Sequence, residues 1–562
     1  MSESVGRVLG TLDAMPLEFW VAVEEGQYLQ LDDVVEVKTP LPDGTEIRLF
    51  GVVDLVRARH EGARFDTDVF LVEKGVLPAT VAHAAHVKVT RVEPEVFVPP
   101  RPGQEVRRAT GRRREEALFF DGMERKIPIG LSRDGEPVFA NLDFLDGSRG
   151  AHVNISGISG VATKTSYATF LLHSLFTSGA LGPRAGNTYS IIFNVKGEDL
   201  LFLDQPNARL RDKDRADYVK LGLPAETFTA VQFLAPVAKG SAERLAATGS
   251  RGKGVQAFFW TIRELAAERL LRFLFAEAED AGSLFGAVVD QIETKLAGAA
   301  RERGRADDPW IEIEGEKIET FESLVEALTK ARDEDDGRTR AERWAIRAAP
   351  GTVAAFERRL HAAAKRVGHL VRGRDVGRRA DHLLDWRKTQ VSVVDIHGLH
   401  DQAKRFVVGA LLKRMFEEKE SLGTADPLVF VVLDELNKYA PREGSGPIKE
   451  VLLDISERGR SLGIILLGAQ QTASEVEGRI VANAALRVVG RLDPAEAERP
   501  EYGFLTAAGR GRAGILKPGT MIVLQPEVPA PLLVRFPFPA WATRKSEAAP
   551  AATDPFAGFR GD

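Results

Sequence analysis

The 562-residue chain contains no cysteine, which excludes disulfides, cysteine-ligated zinc, iron–sulfur clusters and thiolate catalysis. A reducing cytoplasm suits that composition. Long hydrophobic runs are missing as well: no stretch approaches the ~20 apolar residues that span a bilayer. The opening residues, MSESVGRVLGTLDAM, lack the basic region and apolar run of a secretory signal. The chain is therefore expected to be cytoplasmic, with no membrane anchor. A strong overall charge is absent too, since the net is −5. That balance is uneven, because residues 338–388 hold 14 Lys and Arg against 5 Asp and Glu, an excess suited to a polyanion. The hydrophobic content of 44% is ordinary for a globular protein with a sizeable core.

Over residues 1–97 the chain reads as short strands: EFWVAVEEG, VVEVKTPLPDGTEIRLFGVVDLVRARH with Asp43-Gly44 as its turn, DVFLVE and HVKVTRVEPEVFV. Such spacing predicts a small barrel or sandwich. Residues 98–117, rich in Pro, Gly and Arg, read as a basic linker. From 118 to 240 strands and helices alternate, with AHVNIS and YSIIFNV as strands and TSYATFLLHSLFTSG as a helix; YSIIFNV ends at Lys196-Gly197-Glu198-Asp199. Charged, Ala- and Leu-rich segments such as QAFFWTIRELAAERLLRFLFAEAED then predict a helical insertion over 241–385, which carries the basic excess. Alternation resumes over 386–543 with VSVVDIHGL, LVFVVLDEL, GIILLGAQQ and LRVVGRL. Apolar strands separated by helices imply an α/β fold with a parallel sheet covered on both faces. Residues 544–562 read as a disordered tail.

Chemistry concentrates in three places. The first is GISGVATKTS, spanning Gly157, Gly160, Ala162, Thr163, Lys164, Thr165 and Ser166 between a strand and a helix. A phosphate-binding loop cradles phosphate on backbone N–H groups, with a lysine on the β- and γ-phosphates and the next hydroxyl on magnesium. The usual G-x-x-x-x-G-K-[ST] fails at both glycines, where Ile158 and Thr163 stand. Lys164 and Thr165 are nevertheless present. The second place is LVFVVLDEL, where Asp434 and Glu435 end an apolar strand, either as a magnesium ligand and a water-polarising base or as a plain helix start. The third is GIILLGAQQ, whose Gln470 would sense a γ-phosphate or simply end the strand. Between them, Arg458 and Arg460 in DISERGRSLG would stabilise a helix C-terminus or reach a neighbouring subunit's nucleotide.

In the order of IPIGLSRDGEPVFANLDFLDGSRGAHVNISG, the loop, VFVVLDELNKYAP, DISERGRSLGIILLGAQQT, LRVVGRLDP and ILKPGTMIVLQPEVPAPLLVRFPFP, nearly the whole chain resembles the HerA family of hexameric DNA translocases, relatives of FtsK. The resemblance implies an N-terminal β-barrel, a RecA-like P-loop NTPase core and an inserted helical bundle. It assigns Lys164 and Thr165 to phosphate and Mg2+, Asp434 to Mg2+, Glu435 to catalysis, Gln470 to sensing and Arg460 to a finger acting in trans, with Arg149 in SRGAHV matching a further family arginine. The loop departs from the family's Gly-Ser-Gly-Lys-Ser ending. ATP as cofactor, a homohexamer, double-stranded DNA and a NurA-type nuclease or other effector enzyme as partners follow from the resemblance. The function expected is ATP-driven DNA translocation in end resection and repair. A nucleotide-binding scaffold for an effector nuclease in phage defence is the alternative, and a peptide translocase a third.

Overall fold

Valine-rich alternation in the first hundred residues produces strands that curl on themselves. The computed structural model describes residues 4–63, 65–158, 164–197, 200–241, 243–275, 283–302, 308–329, 344 and 346–548. Six strands, β1 (Ser4–Val8), β2 (Glu18–Val23), β3 (Val34–Pro40), β4 (Glu46–Glu61), β5 (Thr80–Glu93) and β6 (Glu105–Arg108), close into an antiparallel barrel of order β1-β2-β5-β4-β3-β6. Phe19, Val35, Val37, Leu49 and Val87 fill its interior. Two expectations fail here. Residues 105–108 lie in the expected linker, yet they form the closing strand because Val106 is wholly buried in the barrel core. The linker arginines are also engaged, Arg113 with Glu36 at 2.9 Å and Arg108 with Asp33 at 3.1 Å. DVFLVE, expected as a strand, is instead the helix Asp68–Glu73 between β4 and β5. It has no strand to pair with and buries none of its residues, so its apolar run reports no sheet face.

The described residues divide into two compact units. The barrel belongs to the first, together with β7 (Lys126–Leu131) and β8 (Pro137–Asn141).

In the second unit the strands are β9 (Val153–Ser156), β10 (Thr188–Asn194), β11 (Val231–Pro236), β12 (Val255–Phe258), β13 (Trp260–Thr261), β14 (Ile311–Ile313), β15 (Glu316–Ile318), β16 (Val371–Arg372), β17 (Val391–Asp395), β18 (Leu428–Asp434) and β19 (Ile464–Gln470). Seven of them make a parallel sheet in the order β12-β11-β17-β10-β18-β19-β9. Every residue of β17, β18 and β19 is buried, which is why these strands read as unbroken apolar runs rather than alternating ones. The helices Lys164–Thr177, Asp401–Leu422 and Pro447–Leu462 connect or flank them. Gly463 ends the last of these at φ 68°, where a Cβ would lie 1.8 Å from the Ala425 carbonyl oxygen; only glycine fits.

Within 241–385 the helices Leu284–Glu302, Phe321–Thr329 and Pro350–Val367 are present. The segment does not begin as a helix, however. QAFFWTIRELAAERLLRFLF splits into β12, β13, a short helix Ile262–Ala267 and a 3-10 turn. Aromatic residues favour strands, and Thr261 starts the helix by a capping box, its Oγ1 accepting from the Glu264 amide at 3.0 Å while Glu264 accepts from the Thr261 amide at 2.8 Å.

The first unit resumes with β20 (Leu486–Val489), β21 (Thr520–Leu524) and β22 (Leu532–Arg535), which join β7 and β8 in the order β20-β21-β22-β7-β8. LRVVGRL thus pairs antiparallel with β21 rather than continuing the parallel pattern. Residues 544–548 of the expected disordered tail are ordered: Glu547 accepts from the Thr543 amide at 3.1 Å and its carbonyl from the Ala208 amide at 2.8 Å. The rest of that tail lies outside the described residues. Among the described residues, no helix is long and apolar enough to cross a membrane.

Candidate nucleotide site

The helix Lys164–Thr177 begins at the lysine of the candidate loop. Lys164 is buried, and Thr165 Oγ1 donates to Asp434 Oδ2 at 3.2 Å. Residues 269 apart in sequence are therefore in contact. Gly160, Ala162 and Thr163 lie outside the described residues; Ser166 is half-buried on the first turn, its carbonyl accepting from Thr169 Oγ1 at 2.9 Å. Gly157 is buried against backbone, and a Cβ there would meet the Arg491 carbonyl oxygen and Gly490 Cα at 3.3 Å each. A narrow passage for the chain explains a glycine at this point.

β18 delivers the two acids to the carboxyl edge of the parallel sheet, where ligands of such sheets bind. Asp434 Oδ1 accepts from the Glu435 amide at 2.8 Å. Glu435 sits at φ 57°, ψ 41°, a left-handed conformation that costs a non-glycine residue about 1 kcal/mol. Both its carboxylate oxygens face lysines: Lys196 Nζ is 3.1 Å from Oε1, and Lys438 Nζ is 2.8 Å from Oε2. Lys196 Nζ also lies 3.7 Å from Asp434 Oδ2. Burial works to raise the Glu435 carboxyl, but the hydrogen bonds and charges of Lys438 and Lys196 outweigh it and hold the group below its ordinary range. Lys164 is lowered chiefly by burial, with Asp434 opposing and Lys196 adding to the shift.

Gln470 ends β19 beside these acids, since Asp434 pairs with Ala469 in the sheet register. It is wholly buried, and its Nε2 donates to Asn154 Oδ1 at 2.9 Å and Ser156 Oγ at 3.0 Å on β9. Its Oε1 is buried without a hydrogen-bond partner among the described residues. On the other side of β18, Asn194 Nδ2 ties Asp395 Oδ1 to the Gly197 carbonyl, both at 3.0 Å. Lys196, Lys438, Asn154 and Asn194 were given no role from sequence. The one available signal was Lys196 standing just past a strand end.

Arg460 and Arg149 are not brought to this cluster. Arg460 is exposed on the last turn before β19, its Nε and Nη2 donating to the carbonyls of Gly147 at 3.0 Å and Ser148 at 2.8 Å. Arg149, on the same loop, is 3.6 Å from Asp143. Both precede strands whose far ends carry Gln470 and Ser156. Seven residues of β19 put about 20 Å between the two edges of the sheet. Arg458 pairs with Glu420.

The chain matches no known protein family and no curated protein. Among solved structures it is similar to VirB4 of Thermoanaerobacter pseudethanolicus, at 16% identity over 74% of this chain and 96% of that one, with a TM-score of 0.45. The plasmid coupling protein TrwB in complex with the non-hydrolysable GTP analogue GDPNP is 13% identical over 77% of this chain and 94% of its own, with a TM-score of 0.47. The genome packaging NTPase B204 from Sulfolobus turreted icosahedral virus 2 is 13% identical over 26% of this chain and 67% of its own, with a TM-score of 0.20. Likenesses at these scores decide nothing about the chemistry, which rests on the geometry above.

The donor set suits a magnesium–nucleotide pair. A hydroxyl and a carboxylate oxygen 3.2 Å apart are hard donors, and magnesium is held by one or two such protein oxygens together with substrate phosphates rather than by a full protein cage. Lys164 is buried at the first residue of its helix, so a cationic side chain and the positive end of the helix dipole lie together, a setting that suits phosphate.

Proposed function

We propose that the chain is an ATP-driven translocase of double-stranded DNA, a cytoplasmic homohexamer with a RecA-like P-loop core of the HerA type, and that it works with a NurA-type nuclease or another effector enzyme in end resection and repair. The observation that carries the nucleotide reading is the hydrogen bond from Thr165 to Asp434, which unites the lysine–hydroxyl pair of the variant loop with the acidic strand. Lys164 binds the β- and γ-phosphates. Thr165 and Asp434 would hold Mg2+, which supplies charge neutralisation on the phosphates when bound. Glu435 accepts the proton of the attacking water, and the unpaired Oε1 of Gln470 orients that water. Arg460, about 20 Å from its own chain's acids, would serve the nucleotide of the adjacent subunit and stabilise the charge of the transferring phosphoryl group. Hydrolysis at each interface would move basic surfaces that grip the DNA backbone.

ATP hydrolysis measured with and without double-stranded DNA on wild type, Lys164→Ala and Glu435→Gln tests this reading. DNA-stimulated turnover is expected in the wild type, and its loss by about 10²- to 10⁴-fold in Glu435→Gln. Negligible wild-type turnover from an intact hexamer would replace the translocase with the nucleotide-binding scaffold of a phage-defence effector.

A further inference from the structure

Lys196 stands two residues beyond β10, the strand beside β18. Phe193 pairs with Leu433 in the parallel register, so the chain leaves the sheet almost level with Asp434. The Lys196 ammonium is thereby within 3.1 Å of Glu435 Oε1 and 3.7 Å of Asp434 Oδ2. That same Asp434 oxygen accepts the Thr165 hydroxyl. Lys438 holds the other oxygen of Glu435, so loss of Lys196 would still leave this carboxylate one cationic partner. The Lys196 side chain is 39% exposed, which leaves it room to change partners.

On the reading proposed above, Asp434 takes a divalent cation and Glu435 takes a proton from water. An ammonium 3.7 Å from Asp434 Oδ2 cannot stay beside a divalent cation on that oxygen, because like charges at such distances repel. Lys196 must exchange its carboxylates for another anion. The terminal phosphate of a nucleoside triphosphate is the anion that arrives together with the metal. We propose that Lys196 is a second phosphate-binding lysine, selective for the terminal phosphate, and that it holds Glu435 until that phosphate draws it away. It is a positioning residue for Glu435 and a specificity residue for triphosphate over diphosphate.

Calorimetric titration of the full-length hexamer with ADP and with AMP-PNP, each across a range of Mg2+ concentrations, tests this without turnover. Wild type is expected to prefer AMP-PNP. Lys196→Met should lower the AMP-PNP to ADP affinity ratio by about tenfold or more, the size of one charge-assisted hydrogen bond, while ADP saturates at lower Mg2+ because the competing ammonium is gone. Lys196→Arg, which keeps the cation, should retain most of the preference. A wild-type ratio and an unchanged Mg2+ requirement in Lys196→Met would overturn the assignment and leave the nucleotide site standing. Absence of binding by either nucleotide in the wild type would overturn the site itself, and this inference with it.

Discussion

His152 is buried ahead of β9, where its Nδ1 accepts the Leu466 amide at 3.0 Å and its Nε2 donates to the Ser456 carbonyl at 3.2 Å. One ring nitrogen accepts and the other donates, so the neutral imidazole is the only form that satisfies both. Burial pushes its pKa down to about 4, against an ordinary 6.5. The folded protein therefore resists a proton that the unfolded chain accepts. Its contribution to stability is complete above pH 6.5 and is lost as pH falls from there towards 4, by on the order of 2–3 kcal/mol. Urea unfolding across that window should show a shallower pH slope for His152→Gln than for wild type, by up to one proton. His173 and His369, also held near 4 by burial, keep part of the slope in both, so identical slopes would place the effect elsewhere.

Among the elements, the helix Pro350–Val367 joins the basic excess to a defined surface. Val353, Phe356, Leu360, Ala363 and Val367 form its buried stripe, while Arg358, Arg359, Lys365 and Arg366 are exposed. Two other basic residues of the same region are also exposed but pair with carboxylates, Arg379 with Glu264 at 3.1 Å and Arg374 with Glu319 at 2.7 Å. Arg366 donates to Gln402 Oε1 at 3.3 Å and Arg359 lies over the Phe285 ring, yet all four are exposed and together test DNA binding. Reversing their charge should leave the helix folded, weaken binding of double-stranded DNA and flatten the log–log salt dependence by about 3 to 4, close to one per lost phosphate contact. A binding isotherm with the wild-type salt slope would remove this helix from the DNA path. Elements were legible where periodicity and burial agree, as in this stripe and in LVFVVLDEL. They were misread where an apolar run reports no sheet face, as in DVFLVE, or where one wholly buried residue, Val106, turns an Arg-rich stretch into a strand.

For the whole molecule, the separation of Arg460 from the acids of its own chain makes a prediction about assembly. If each nucleotide is served by Lys164 of one subunit and Arg460 of the next, then Lys164→Ala and Arg460→Ala rings should each be inactive. Co-assembled from both variants, a ring contains some interfaces with an intact pair, so mixing should recover part of the DNA-stimulated hydrolysis. Arginine fingers contribute about 10³- to 10⁵-fold, so the recovery would stand far above either parent. Mixed rings as inactive as their parents would return Arg460 to the role the geometry already gives it, a clip on the Gly147 and Ser148 carbonyls.

Local pattern alone determined that strands and helices alternate in this chain and that Lys164, Thr165, Asp434 and Glu435 stand at strand and helix ends, because periodicity and end residues are short-range properties. Only the tertiary structure decided which ends meet. Parallel register sets Asp434 level with Ala469 and beside Lys196, while LRVVGRL goes to an antiparallel sheet in the other unit. A lysine after a strand carries no mark of the carboxylates it will face, since that contact depends on strand order, and strand order is settled by how the buried faces pack.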